Sequence, residues 1–131
     1  MGEATGAFGP PVLFVEDVVR ARDFYVDVLG MSLGFEDETS AGVFMGEELL
    51  LLVSVPSASD MLVGEELGTP RNQRPVGLFN IFVENVDESF ARLKSLGVAF
   101  INDPIDREWG RRTAHFKDPD GFIWEISQAI D

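Results

Sequence analysis

Apolar residues along this chain keep two rhythms, and both occur twice. Val12 to Glu16 alternates as a short strand, and Asp17 then caps a helix whose positions Ala21, Phe24, Tyr25, Val28 and Leu29 hold the three-and-four spacing of one buried face. Gly30 closes that helix, and three strand-like runs follow at Ser32 to Asp37, Gly42 to Gly46 and Glu48 to Val55. The second half repeats the order. Phe79 to Glu84 is a strand, Asn85 with Glu88 forms a capping box, and Val86, Phe90, Leu93 and Leu96 make a helical stripe ended by Gly97. Strands at Val98 to Asn102, Thr113 to Lys117 and Phe122 to Ser127 complete it. Phe14-Val15-Glu16-Asp17-Val18 thus returns as Phe82-Val83-Glu84-Asn85-Val86 at an offset of 68 (82 − 14). Leu29-Gly30 returns as Leu96-Gly97 at 67 (96 − 29).

A period this long, present only twice, does not suit a solenoid, whose units run to roughly 20–50 residues in about three or more copies. It predicts an α+β fold of two βαβββ modules, about 10–55 and 78–128, within one domain over 10–131. A loose, Gly-rich tail occupies 1–9, and a linker spans 56–77 with one helical turn around Asp60 to Leu67. The seam between two such halves is a natural place for a small-molecule hollow.

Charge narrows the partners. Ten basic residues against 23 acidic ones leave a net charge of −13, which excludes nucleic acid as a partner because phosphate contacts need clustered Lys and Arg. A cationic ligand would be drawn to such a field. The absence of cysteine removes disulfides, thiolate nucleophiles and thiolate metal sites. No run approaches about 18 apolar residues and Met1 to Gly9 has no leader-like pattern, so the expectation is a cytoplasmic protein without membrane contact.

The C-terminal hairpin carries the most specific chemistry. In Asp118-Pro119-Asp120-Gly121, Pro presets a type I turn and Gly accepts the positive φ after it. With Gly121 as the bulge of a three-residue loop, Asp118 faces Phe122, Phe116 faces Trp124, His115 faces Glu125 and Thr113 faces Ser127. Alternation then puts Ala114, Phe116, Phe122, Trp124 and Ile126 on one face, and Thr113, His115, Lys117, Ile123, Glu125 and Ser127 on the other. The chain's one histidine therefore stands opposite a carboxylate. That pair is either a general acid/base couple of His115 and Glu125 or an ordinary cross-strand contact worth roughly 0.2–1 kcal/mol.

Val12 to Gly30, Phe79 to Gly97 and Trp109 to Gln128 together resemble the vicinal oxygen chelate superfamily of glyoxalases, bleomycin-resistance proteins and extradiol dioxygenases, over nearly the whole chain from Pro10. The resemblance implies a curved mixed sheet around a cleft, helices on the outer face, and a homodimer. It also implies divalent-metal ligands at the starts of the first strands and on the last strands. Pro10 and Leu78 occupy two of those positions, a third falls in the leucine run Leu49 to Val53, and only Glu125 matches. One carboxylate does not hold a catalytic ion, which takes about three protein ligands, so no cofactor is expected.

What remains is a family-shaped cleft without its ion. Its lining would include Phe14 from the first strand and Asn80 and Phe82 from the second half's first strand, with Thr113 and Ile123 from the hairpin. Trp109 could stack a planar or cationic ligand, and Arg111 or Arg112 could clamp a carboxylate or phosphate. In so acidic a chain the arginines could equally pair with surface acids, as the run Glu36-Asp37-Glu38 reads as a solvated strand end. Two functions follow. One is metal-independent binding of a small aromatic or cationic molecule, similar to bleomycin-resistance proteins. The alternative is a lyase, isomerase or dioxygenase using Glu125 with His115, or a divalent metal held by other ligands.

Overall fold

The computed structural model describes residues 5–67 and 77–130. Part of the expected tail (1–4) and part of the expected linker (68–76) lie outside the described residues. The chain divides into two compact units, one running to Glu65 and the other beginning at Glu66. Each carries one module, and the fold is α+β.

In the first unit β1 (Val12–Val15), α1 (Val18–Asp23), β2 (Ser32–Glu36), β3 (Ser40–Met45) and β4 (Glu48–Ser54) follow in order. The sheet runs β1-β4-β3-β2, with β1 parallel to β4 and the other pairs antiparallel. Strand alternation decides the packed side: Leu13, Val15, Ala41, Val43, Leu50 and Leu52 are buried, with Val18, Ala21, Tyr25 and Leu29 of the helical segment completing this unit's core. Asp17 caps α1 by accepting the Arg20 N–H at 3.1 Å. The α-helix is shorter than its apolar stripe predicts. At Phe24–Val28 it widens into a π-helical turn, in which the Leu29 N–H reaches back five residues to the Phe24 carbonyl at 3.1 Å.

The expected helical turn moves forward. α2 spans Val55–Met61 instead of Asp60 to Leu67, because Ser54 caps it by accepting the Ser57 N–H and Pro56 suits a first helical turn. Buried Ala58 seats α2 against β1 and β4.

The second unit repeats the first. β5 (Phe79–Phe82), α3 (Val86–Ser95), β6 (Ala99–Phe100), β8 (Arg111–Lys117) and β9 (Ile123–Ala129) form a sheet of order β5-β9-β8-β6, with β5 parallel to β9. Asn85 accepts the Glu88 N–H at 3.0 Å, and Gln128 of β9 accepts the Val86 N–H at 2.8 Å, so the helix is capped by its own loop and tethered to the sheet. Val86 and Leu93 are buried, as are Ala114, Phe116, Trp124 and Ile126. Phe100 links the helix to the sheet, its ring 4.5 Å from Phe90 and 5.5 Å from Phe116. Leu96 departs from the predicted stripe and stands half-exposed beyond the last turn.

One strand is new. β7 (Ile105–Arg107) pairs with β8 beside β6, so the edge strand that is continuous as β2 in the first unit is split in two here. The predicted strand Val98 to Asn102 shortens accordingly to Ala99–Phe100. Pro104, which has no N–H to give a ladder, sits in the break.

Candidate functional site

Two three-residue loops set the geometry of the second sheet. Pro119-Asp120-Gly121 joins β8 to β9, and Glu108-Trp109-Gly110 joins β7 to β8. In each the third residue is a glycine at positive φ, 93° at Gly121 and 83° at Gly110, and its N–H closes the turn at 3.1 Å on Asp118 and Arg107 respectively. Such a loop permits one register. In the first hairpin it puts Thr113 opposite Ser127, His115 opposite Glu125 and Phe116 opposite Trp124. In the second it puts Arg107 opposite Arg111. The first loop is braced from inside: the buried Asp118 carboxylate accepts the N–H groups of Asp120 and Phe122 at 2.9 and 2.8 Å.

His115 is held at both ring nitrogens. Its Nε2 lies 2.8 Å from Glu125 Oε1 and its Nδ1 lies 3.0 Å from Asn102 Nδ2. The break between β6 and β7 makes this possible, because the Asn102 side chain turns in where a ladder partner would stand and its oxygen accepts the His115 backbone N–H at 2.9 Å. A backbone N–H only donates, so the atom facing it is the amide oxygen; that oxygen stands 3.4 Å from Nδ1, and the amide nitrogen makes the shorter 3.0 Å contact. Nδ1 is therefore the acceptor and Nε2 carries the proton given to Glu125. The side chains of His115 and Glu125 are 15% and 20% exposed.

The same face of the sheet bears Asn80, Phe82, Arg111, Thr113 and Ile123. Asn80 and Phe82 of β5 pair with Glu125 and Ser127 of β9. Phe82 is 78% exposed, and the Arg111 guanidinium lies 4.7 Å from its ring centre. Arg111 Nε donates to Ser127 Oγ at 2.8 Å, and Arg107 Nε donates to Thr113 Oγ1 at 3.0 Å. Both hydroxyls are buried. Ile123 sits half-buried opposite Lys117. Trp109, in the loop, is 70% exposed with the Arg107 guanidinium 5.9 Å from its ring centre.

Two predicted residues stand elsewhere. Phe14 is half-buried on β1 of the first unit, paired with Val53. Arg112 points to the opposite face from Arg111, where it bridges Asp87 of α3 at 3.0 Å and Asp106 of β7 at 2.9 Å. These two carboxylates, Asp87 first, push its pKa further above the ordinary arginine value. A clamp at Arg112 is thus excluded by alternation: a neighbour in a strand faces the other way. The run Glu36-Asp37-Glu38 behaves as a strand end. Glu36 pairs with Arg22, and Asp37 is held below the usual carboxylate range by the Thr39 N–H and then by Ser40.

Arg107 and Asn102 were not legible as site residues. A three-residue strand carries no measurable periodicity; the available signal was Gly110, placed three residues after Arg107 as Gly121 is after Asp118.

The resemblance implies a divalent ion, and the donor set does not fit one. Pro10 and Leu78 offer no donor, the single carboxylate Glu125 is bonded to His115, and among the described residues no three of His, Cys, Asp and Glu gather closely enough to hold a metal.

Residues 7–126 match the Glyoxalase/Bleomycin resistance protein/Dioxygenase superfamily. Among curated proteins, YraH of Bacillus subtilis, itself uncharacterised, is 33% identical over 121 residues, covering 90% of this chain and 94% of its own. Among solved structures, a glyoxalase/bleomycin resistance protein/dioxygenase from Nocardioides superposes with a TM-score of 0.77 at 21% identity, over 98% of this chain and 87% of that one. A protein of unknown function from Agrobacterium tumefaciens gives 0.79 at 23% identity, over 98% of each chain. At these identities the structural likeness concerns the fold alone.

Proposed function

Since the chain belongs to the glyoxalase/bleomycin resistance protein/dioxygenase superfamily, we propose that it binds a small aromatic molecule, without a metal ion, on the open face of β5, β9, β8 and β7. The observation that carries this reading is the 2.8 Å contact of His115 Nε2 with Glu125 Oε1. It engages the one side chain matching a family ligand position with a proton donor of the protein's own. Exposed Phe82 offers a ring to stack on, and Asn80, His115 and Glu125 supply the few polar groups that orient a ligand. A cationic ligand, the other chemistry an acidic chain suggests, would meet two guanidinium groups here and is disfavoured.

Catalysis is the second reading, and the Asn102–His115–Glu125 chain favours one form of it. Both imidazole nitrogens are engaged, so His115 would position Glu125, and the carboxylate would take the proton from the substrate. Glu125→Gln separates the two readings. Under the binding reading, neither form turns over substrate and affinity for an aromatic probe changes less than about threefold, the worth of one modest hydrogen bond. Turnover in the parent protein that Glu125→Gln abolishes, with affinity kept, establishes catalysis instead.

A further inference from the structure

We propose that Arg107 and Arg111 form an oxyanion site on this face, and that the ligand is therefore an aromatic acid. The inference deepens the reading above and rests on it for the aromatic part of the ligand.

The two arginines stand in an unfavourable arrangement. The Glu108-Trp109-Gly110 loop places Arg107 directly across from Arg111 on adjacent antiparallel strands. Like charges directly opposite in a sheet are destabilising. Three other arginines find acids: Arg20 meets Glu16, Arg22 meets Glu36 and Asp23, and Arg112 meets Asp87 and Asp106. With 23 acidic residues against 10 basic ones, partners are abundant. Yet among the described residues neither Arg107 nor Arg111 has a carboxylate within ion-pairing distance, not even Glu108 between them in the loop. Two cations are thus held side by side with no carboxylate of the described residues paired to either.

They are also held still. Each guanidinium spends its Nε–H on a buried hydroxyl, Thr113 for Arg107 and Ser127 for Arg111. Each lies near an exposed ring, Trp109 for Arg107 and Phe82 for Arg111. The Nε edge is thereby fixed, and the terminal amino groups, which have no hydrogen-bond partner among the described residues, remain to bind a ligand. Planar donors with restricted motion suit a carboxylate or phosphate, since less rotamer freedom is lost on binding. Phe82, beneath Arg111, places the aromatic body of the ligand next to its acid group.

The test is an NMR titration with three probes: 2-naphthoate, the neutral 2-naphthylmethanol and inorganic phosphate. The Nε–Hε signals of Arg107 and Arg111 and the backbone amides of β5 and β9 are followed in the parent protein, Arg107→Gln and Arg111→Gln. Naphthoate is expected to shift both arginine signals and to bind at least about tenfold more tightly than the alcohol, as charge-assisted hydrogen bonds allow. Either substitution should erase that preference. If acid and alcohol bind this face equally, the oxyanion site is refuted while aromatic binding stands. If phosphate shifts the two arginines and neither naphthyl compound touches the face, the oxyanion site stands and the aromatic reading falls. Silence from all three probes at millimolar concentration overturns both.

Discussion

Replacing Asn102 by Ala should free the tautomer of the chain's one histidine. In the folded protein the amide oxygen accepts the His115 backbone N–H at 2.9 Å and the amide nitrogen donates to Nδ1 at 3.0 Å, while Nε2 donates to Glu125 at 2.8 Å. Moving the proton to Nδ1 would set two donors against each other at Asn102 and two acceptors against each other at Glu125. Losing two hydrogen bonds at about 1.5 kcal/mol each costs about 3 kcal/mol, so the Nδ1–H form is held to under about 1%. Without the Asn102 amide only the Glu125 contact selects, the bias falls to about 1.5 kcal/mol, and the minor form rises to roughly one part in ten. The assay is long-range nitrogen–proton correlation on histidine-labelled protein, at a pH where the ring is neutral; one histidine means one set of signals. The parent should show Nε2 as the protonated nitrogen, and Asn102→Ala should move both nitrogen shifts toward each other. A parent spectrum with Nδ1 protonated, or one that Asn102→Ala leaves unchanged, refutes the reasoning.

Other consequences are as direct. Asp118→Ala removes an acceptor from two N–H groups of the β8–β9 loop and should cost about 2–3 kcal/mol in urea unfolding, whereas Asp118→Asn, which keeps one oxygen, should cost about 1 kcal/mol. Equal costs for the two would remove the carboxylate's bracing role. Asp37 has a folded-state pKa below the ordinary aspartate value of 3.8. Its hydrogen bonds to Thr39 and Ser40 therefore contribute stability that is present above that value and lost as pH falls through the folded pKa. The stability gap between the parent and Asp37→Ala should then be constant near neutrality and close below about pH 3.8; a gap that widens in acid contradicts the assignment. We also propose a homodimer, expected to appear in light scattering as twice the chain mass of 14.5 kDa; a mass of 14.5 kDa at micromolar concentration would end that proposal.

How much of this was legible in the sequence follows from what local chemistry constrains. The repeat and the pairing of β8 with β9 were readable because Asp118-Pro119-Asp120-Gly121 admits one loop geometry, and a loop length sets every cross-strand pair beyond it. His115 opposite Glu125 follows from that alone. The helix caps at Asp17 and Asn85 were readable for the same reason, being side-chain bonds to nearby N–H groups. The π-helical turn at Phe24–Val28 was not, because it keeps the same apolar residues and alters only which carbonyl each N–H meets. α2 lay hidden in a Pro- and Ser-rich stretch whose Ser54 and Pro56 are as much helix-starting as loop-forming. Arg107 and Asn102 were invisible because each depends on the split edge strand, a tertiary feature that Pro104 permits without dictating. Of the two arginines weighed as clamps, only alternation in β8 distinguishes them: Arg111 shares the face of Thr113 and His115, and Arg112 turns to Asp87 and Asp106.

We propose that the second unit's open face takes a small aromatic molecule with no ion to help it. Such binding is tested most directly by calorimetric titration of 2-naphthoate into chelator-treated protein, repeated with zinc, nickel, manganese and ferrous iron in turn. The expected result is one site per chain with an affinity that no ion alters beyond about twofold, a difference of under half a kcal/mol. Binding that appears only after an ion is supplied, with that ion retained at one per chain, would contradict it.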